Sequence, residues 1–163
     1  MGYIPYNASM FHRALHIEFK EGTSFELTFQ TGEVKRYDVA ALYAKYPQMR
    51  ALEDRTLFLA GKLTGAYGII WNDELDLEAE TVYEDGETVR IESLPANMKA
   101  ANAVWEARAA AGISQKDLSA SSGIDQSDIS RIERGMANPS VQTLDRIAEA
   151  MGMELNISIL KDE

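Results

Sequence analysis

Cysteine is absent from all 163 residues. That excludes a disulfide framework and thiolate catalysis, and it fits a reducing compartment. Histidine is nearly absent as well. His12 and His16 are the whole set, and the strand pattern around them puts both on one face with no further His or Cys to complete a metal site. No apolar stretch reaches the roughly 18 residues that suggest a membrane span, and the opening M-G-Y-I-P-Y-N lacks the basic and hydrophobic blocks of a secretion signal. The expected location is therefore the cytoplasm. Positive charge is the last shortage: 16 Lys and Arg face 26 Asp and Glu, a net of −10, which leaves little general attraction for a polyanion. Neither an internal repeat nor a low-complexity tract occurs.

What is present first is alternation. Leu15, Ile17 and Phe19 alternate with His16, Glu18 and Lys20, and Phe25, Leu27 and Phe29 with Glu26, Thr28 and Gln30, the two-residue period of half-buried strands. Glu21-Gly22-Thr23 and Thr31-Gly32 fall where turns are needed, so a β-meander runs on through Val34 to Val39. A short helix is expected from Val39 to Lys45, a strand from Ala66 to Trp71, an acidic helix or turn around Leu77 to Tyr83, and a last extended piece near Thr88 to Ile91.

Enzyme chemistry finds little support here. Residues 73–92 hold nine carboxylates and one arginine, but an EF-hand loop needs a Gly at its sixth place and oxygen ligands at alternate places. Leu75 and Leu77 interrupt that spacing, so the segment reads as a solvated acidic face. Gly61-Lys62 lacks the upstream Gly and the following Ser or Thr of a phosphate loop. Trp71 and Trp105 read as core or interdomain packing. No catalytic group, cofactor or metal site is expected, and so no enzyme.

The period becomes helical after Glu92-Ser93-Leu94-Pro95-Ala96-Asn97, a linker in which Pro95 disfavours helix just before it. The helical pattern resumes at Met98. Ser114 is a natural N-cap with Asp117 three residues on, the spacing of a capping box. Leu118 supplies the inward contact of that helix, and Gly123 can take the left-handed conformation that ends it and turns the chain. Asp125 is placed to cap a second helix, in which Ile129 and Ile132 face the core. Gln126, Ser127, Ser130 and Arg131 must then point elsewhere. A fourth helix starts after Pro139, with Ser140 as cap and Val141, Leu144, Ile147, Ala148 and Met151 as its apolar stripe.

These elements, about sixty residues in order, resemble the Cro/repressor (XRE, lambda-repressor-like) helix-turn-helix family, with Val104, Ala107 and Arg108 similar to the inward face of its first helix. The resemblance implies a base-reading role for Gln126, Ser127, Ser130 and Arg131, since Gln and Arg pair bidentately with adenine and guanine edges in the major groove. It implies backbone contacts from Gln115, Arg134, Asn138 and Ser140, and a structural ion pair between Arg108 and Glu133. Two departures stand out. Met136 and Ala137 occupy a turn where many relatives have Lys or Arg, and Asp125 and Asp128 put phosphate-repelling charge on the recognition helix.

Residues 10–85, with Gly32, Asp38 and the run Y-G-I-I-W-N-D-E-L-D-L-E-A-E-T-V-Y, resemble a widespread bacterial domain family of unknown function that some proteins join to a helix-turn-helix. The fold class expected is thus an α+β domain over residues 1–94, a β-meander with short helices, followed by an all-α helix-turn-helix domain over 95–163 that ends in a strand. That last strand is read from the alternation of Leu155, Ile157 and Ile159 with Asn156 and Ser158. Lacking a sheet of its own, it must pair with the first domain or with a second subunit; antitoxin-type regulators are similar in closing a dimer this way.

Residues 97–163 hold seven Lys and Arg against ten Asp and Glu, so most of the acid lies before them. The expected protein is a cytoplasmic, dimeric, sequence-specific DNA-binding transcriptional regulator, a repressor of antitoxin-like kind. Its partners would be double-stranded DNA with a pseudo-palindromic operator, a second copy, and a basic protein on the acidic first domain. The alternative is a protein-interaction module whose helix-turn-helix no longer binds DNA. The operator and the regulated genes are not legible.

Overall fold

The computed structural model describes residues 11–161; the opening heptapeptide lies outside them. Among the described residues two compact units divide at the linker, 11–94 and 95–161. No helix among the described residues is long and apolar enough to cross a membrane.

In the amino-terminal unit, β1 (Ala14–Phe19), β2 (Ser24–Phe29), β3 (Glu33–Asp38) and β7 (Glu87–Ile91) form one antiparallel sheet in the order β1-β2-β3-β7. The meander is therefore present, and the last extended piece closes it as an edge strand. A second antiparallel sheet contains β4 (Lys62–Thr64), β5 (Gly68–Asn72) and β6 (Leu75–Glu78). Between the sheets in sequence lie two 3-10 helices, Val39–Leu42 and Pro47–Glu53, and the five-residue α1 (Arg55–Leu59). The helix α2 (Ala79–Asp85) follows β6 directly.

Alternation sets the inward face. Phe25, Leu27 and Phe29 on β2 are fully buried, and they share a core with Phe58, Ile69, Trp71, Leu75, Leu77 and Val82. The Trp71 ring lies parallel to that of Phe58, and its indole N–H donates to the Phe58 carbonyl at 2.9 Å, so the one polar atom of a buried tryptophan is satisfied. Full burial of one such aromatic side chain stabilises by about 1.5–3 kcal/mol.

Several local expectations need correction. The helix expected over Val39–Lys45 is a single 3-10 turn ending at Leu42, because Pro47 starts a second turn and biases Tyr46 toward extended backbone. The acidic helix begins at Ala79, after Leu77 has paired with Ile69 in a ladder. His12 precedes β1 and does not share a strand face with His16: its ring stacks on Tyr83 at 3.5 Å, and Nδ1 lies 3.0 Å from Glu80 Oε1. Among the described residues no group of three His, Cys, Asp or Glu could hold a metal.

The carboxy-terminal unit is a bundle of α3 (Ala96–Ala111), α4 (Gln115–Ser122), α5 (Gln126–Glu133) and α6 (Val141–Ala150). Val104, Leu118, Ile129, Ile132 and Ile147, one or two from each helix, make its core. Val141 belongs to the expected stripe but is 60% exposed, because it is the first residue of α6 and has no turn of helix before it to carry it inward. Residues 153–161 form no ladder with any described residue. The expected terminal strand is therefore not formed among the described residues: Ile157, Ile159 and Leu160 are 60%, 98% and 83% exposed, and an extended segment is defined as a strand only by a hydrogen-bonding neighbour.

Candidate nucleic-acid interface

The polar surface of the bundle is built from its caps outward. The Ser114 hydroxyl accepts from Asp117 N–H at 3.0 Å while the Asp117 carboxylate accepts from Ser114 N–H at 3.2 Å, a reciprocal box that starts α4. Gly123 ends it at φ +72°, a conformation that L side chains rarely adopt. The reversal is then tied by Ser119 Oγ donating to the Ile124 carbonyl at 2.6 Å and Ile124 N–H donating to Ser122 Oγ at 3.2 Å. Arg146 on α6 holds the same corner, its Nε donating to the Ser122 carbonyl at 2.7 Å.

The helix α5 follows after two residues. Asp125 stands at its N-cap, but the side chain makes no capping bond; the Asp125 carbonyl alone accepts from Asp128 and Ile129 N–H at 3.0 and 3.1 Å. Ile129 and Ile132 are buried on one side. The helical period therefore sends Gln126, Ser127 and Arg131 to the other side, where all three are exposed, with Ser130 half-buried beside them. At the far end Gly135, φ +71°, donates to the Ile132 carbonyl and Met136 N–H to that of Arg131 at 2.9 Å, a closed C-terminal cap. Asn97 of α3 reaches this turn through a hydrogen bond from its amide to the Gly135 carbonyl.

The remaining candidate residues fall into two groups. Arg134, Asn138 and Ser140 are exposed around the turn between α5 and α6; the Arg134 Nε donates to the Ser130 carbonyl at 3.3 Å, and Ser140 Oγ accepts from Thr143 N–H at 3.1 Å as the cap of α6. Gln115 is different. Although it begins α4, its carboxamide donates to Glu133 Oε1 at 3.3 Å and it is half-buried. Glu133 itself receives two parallel bonds from Arg108, Nε to Oε2 at 2.7 Å and Nη2 to Oε1 at 2.8 Å, while Arg108 Nη1 donates to the Ile113 carbonyl at 2.9 Å. Arg108, Gln115 and Glu133 thus form one polar knot tying α3 and α4 to the end of α5.

Two short helices joined at a left-handed glycine, with a polar edge of the second facing outward, occupy residues that match a family model described as "Helix-turn-helix", residues 106–157. The carboxy-terminal unit is a helix-turn-helix domain. Residues 14–88 match a second model, described as "Protein of unknown function (DUF2442)". A curated relative, an uncharacterized HTH-type transcriptional regulator of Haemophilus influenzae, is 44% identical over 50 residues, covering 31% of this chain and 51% of its own. The match thus spans about half the length of that relative. A solved structure from Nitrosomonas europaea, protein NE0471, is 16% identical over 84% of each chain at a TM-score of 0.39, a likeness too slight to support argument.

Three features of the helix-turn-helix unit escaped sequence reasoning. The inward bond of Gln115 depends on a carboxylate 18 positions away, and no local period signals it. Asn97 and Arg146 grip the two turns from α3 and α6. Their signal is weak but physical, since each left-handed glycine turn leaves carbonyls that need a donor.

Proposed function

We propose that the protein is a sequence-specific DNA-binding transcriptional regulator that works as a dimer and represses the genes it binds. The observation that supports this most directly is the outward edge of α5, where Gln126, Ser127 and Arg131 are exposed opposite the buried Ile129 and Ile132. The major groove admits such a helix, and each good bidentate contact discriminates by about 1–3 kcal/mol. In this reading Gln126, Ser127, Ser130 and Arg131 meet base edges, and Arg134, Asn138, Ser140 and the start of α4 at Gln115 meet phosphates. The Gln115 side chain must leave Glu133 to contribute, so the positive end of the helix does most of that work. The acidic balance of the chain gives weak, salt-sensitive binding with little nonspecific background.

The dimer is supported by the terminal segment, which pairs with no strand among the described residues. Ile157 and Ile159 alternate with Asn156 and Ser158 and lie exposed, so the same segment of a second copy offers the missing ladder and covers the apolar side. Two recognition helices about 34 Å apart then require a pseudo-palindromic operator. The acidic amino-terminal unit engages a basic partner, as an antitoxin-like repressor would; no catalytic step is assigned to it, and the location is the cytoplasm. Footprinting of the DNA just upstream of the protein's own gene tests the regulator reading: a protected, two-fold symmetric stretch supports it, and no protection at low salt contradicts it.

A second reading is favoured by the exposed Asp125 and Asp128 at the start of α5 and the exposed Met136 just after its end. Two carboxylates and a bare methionine suit a protein partner better than a phosphate backbone. Binding of a protein partner to this face, with no DNA bound at any salt, would mark that case.

A further inference from the structure

One cleft of the amino-terminal unit takes no part in the DNA reading. It has a volume of about 720 Å³ and lies between the two 3-10 helices and the β6–α2 segment. Its apolar floor includes Leu42, Met49 and Leu77, the last two buried. Over that floor stand Glu74, Asp76, Glu78 and Asp85. All four are exposed, and none makes an ion pair among the described residues. Lys45 is the only cation among the described lining residues. Its ammonium sits 5.3 Å from the centre of the Tyr46 ring, which is 41% exposed at the mouth.

That last contact puts a cation against the ring. The face of an aromatic ring attracts a cation, and the chain's own lysine already holds that position in a cleft whose other charges are all negative. An apolar floor below a ring of carboxylates suits a ligand with an aliphatic stem and a positive end. A divalent metal ion would gain nothing from the floor or the tyrosine. A neutral apolar ligand would gain nothing from the acids.

We propose that this cleft binds an alkylammonium group, presented either by a free polyamine or by a lysine side chain of a basic peptide. The inference deepens the reading of the amino-terminal unit as the partner-binding half of the protein, and rests on it. It is measured without DNA, so its failure leaves the base-reading assignment untouched.

The test is calorimetric titration of the full chain with spermidine, with a tetralysine peptide, and with magnesium ion. Saturable one-to-one binding of either amine, weakened at least tenfold by Tyr46→Ala and by Asp76→Asn with Glu78→Gln, supports the site. The stronger of the two amines identifies the source. All three altered residues are exposed, so circular dichroism should show the fold intact. Lys45→Gln vacates the ring face and should tighten amine binding several-fold, whereas Lys62→Gln, the same charge change on exposed β4, should not. The proposal is overturned if neither amine binds, if magnesium competes equally at matched charge, or if Tyr46→Ala binds like the parent chain.

Discussion

At Glu133 only 1% of the residue surface meets solvent, and a carboxylate so placed is tolerable only if its oxygens are satisfied. Arg108 supplies two parallel N–H bonds and Gln115 a third. Arg108 is itself 17% exposed at the side chain, so the pair is largely shielded from water and Glu133 would be left charged in a dry site if its partner were lost. Arg108→Ala should therefore cost about 3 kcal/mol. Urea denaturation checks this: a large fall in midpoint is expected, and a curve overlaying the parent contradicts the role. Arg108→Lys should recover only part, since an ammonium cannot make the parallel fork. These partners sit 25 positions apart, and family resemblance alone brought them together at the level of sequence. Residues whose role is read from local chemistry fared differently. Ser114, Asp117 and Gly123 do what their side chains or lack of one dictate within a few positions. Asp125 does not, since its side chain makes no cap bond although it holds the cap position.

The element scale explains which pieces of the fold were legible. β1, β2, β3, α4 and α5 declare themselves by a clear period bounded by turn residues. The three-residue β4 and five-residue α1 hold too few residues to show any period. They are fixed by contacts distant in sequence, as Trp71 against Phe58 illustrates. The outer face of the four-stranded sheet was also hidden, because alternation marks Glu26 as a solvent residue. Instead its side chain is 2% exposed, with Arg36 of β3 and Arg90 of β7 each 2.7 Å from its oxygens and Lys20 at 3.8 Å. Burial pushes the Glu26 carboxyl up, yet the hydrogen bonds from Arg36 and Arg90 outweigh it and hold the group below its ordinary 4.5. A carboxyl depressed in the folded state stabilises fully above its unfolded value, and that contribution is lost as pH falls through the folded value. Stability should therefore drop as the solution is acidified below about 4.5. Glu26→Gln should cost about 1–3 kcal/mol at neutral pH and flatten the acid limb. Thermal melting of both proteins from pH 7 to pH 3 measures this, and parallel acid limbs contradict it. On the same unit, burial and the Glu33 carboxylate accepting its hydroxyl at 3.0 Å push Tyr83 up to about 12, so that phenol stays protonated throughout this range.

For the whole molecule, the two-unit plan follows from one proline-bearing linker and a change of period. The terminal segment 153–161 is where the sequence pattern and the described structure part company, because a strand requires a neighbour and none of the described residues pairs with it. Ile159, at 98% exposure, contributes nothing to the fold of one chain, so Ile159→Asp should leave circular dichroism unchanged. Sedimentation velocity should find the parent protein dimeric and the Ile159→Asp protein monomeric at micromolar concentration. A parent monomer, or an unaffected dimer in the variant, removes the segment from the interface. On the proposed reading, dimerisation would matter for function because a single α5 would reach only one half-site and symmetry would double the contacts.

The claim on which this account depends is that the exposed edge of α5 reads base pairs. Selection of bound duplexes from a random pool, run in parallel with the parent protein and Arg131→Ala, tests it most directly. The parent should enrich a pseudo-palindromic site, and Arg131→Ala should lose preference at one position in each half while retaining the rest, a cost of about 1–3 kcal/mol. Failure of the parent protein to enrich any sequence, or the same site enriched with the same affinity by Arg131→Ala, would contradict it.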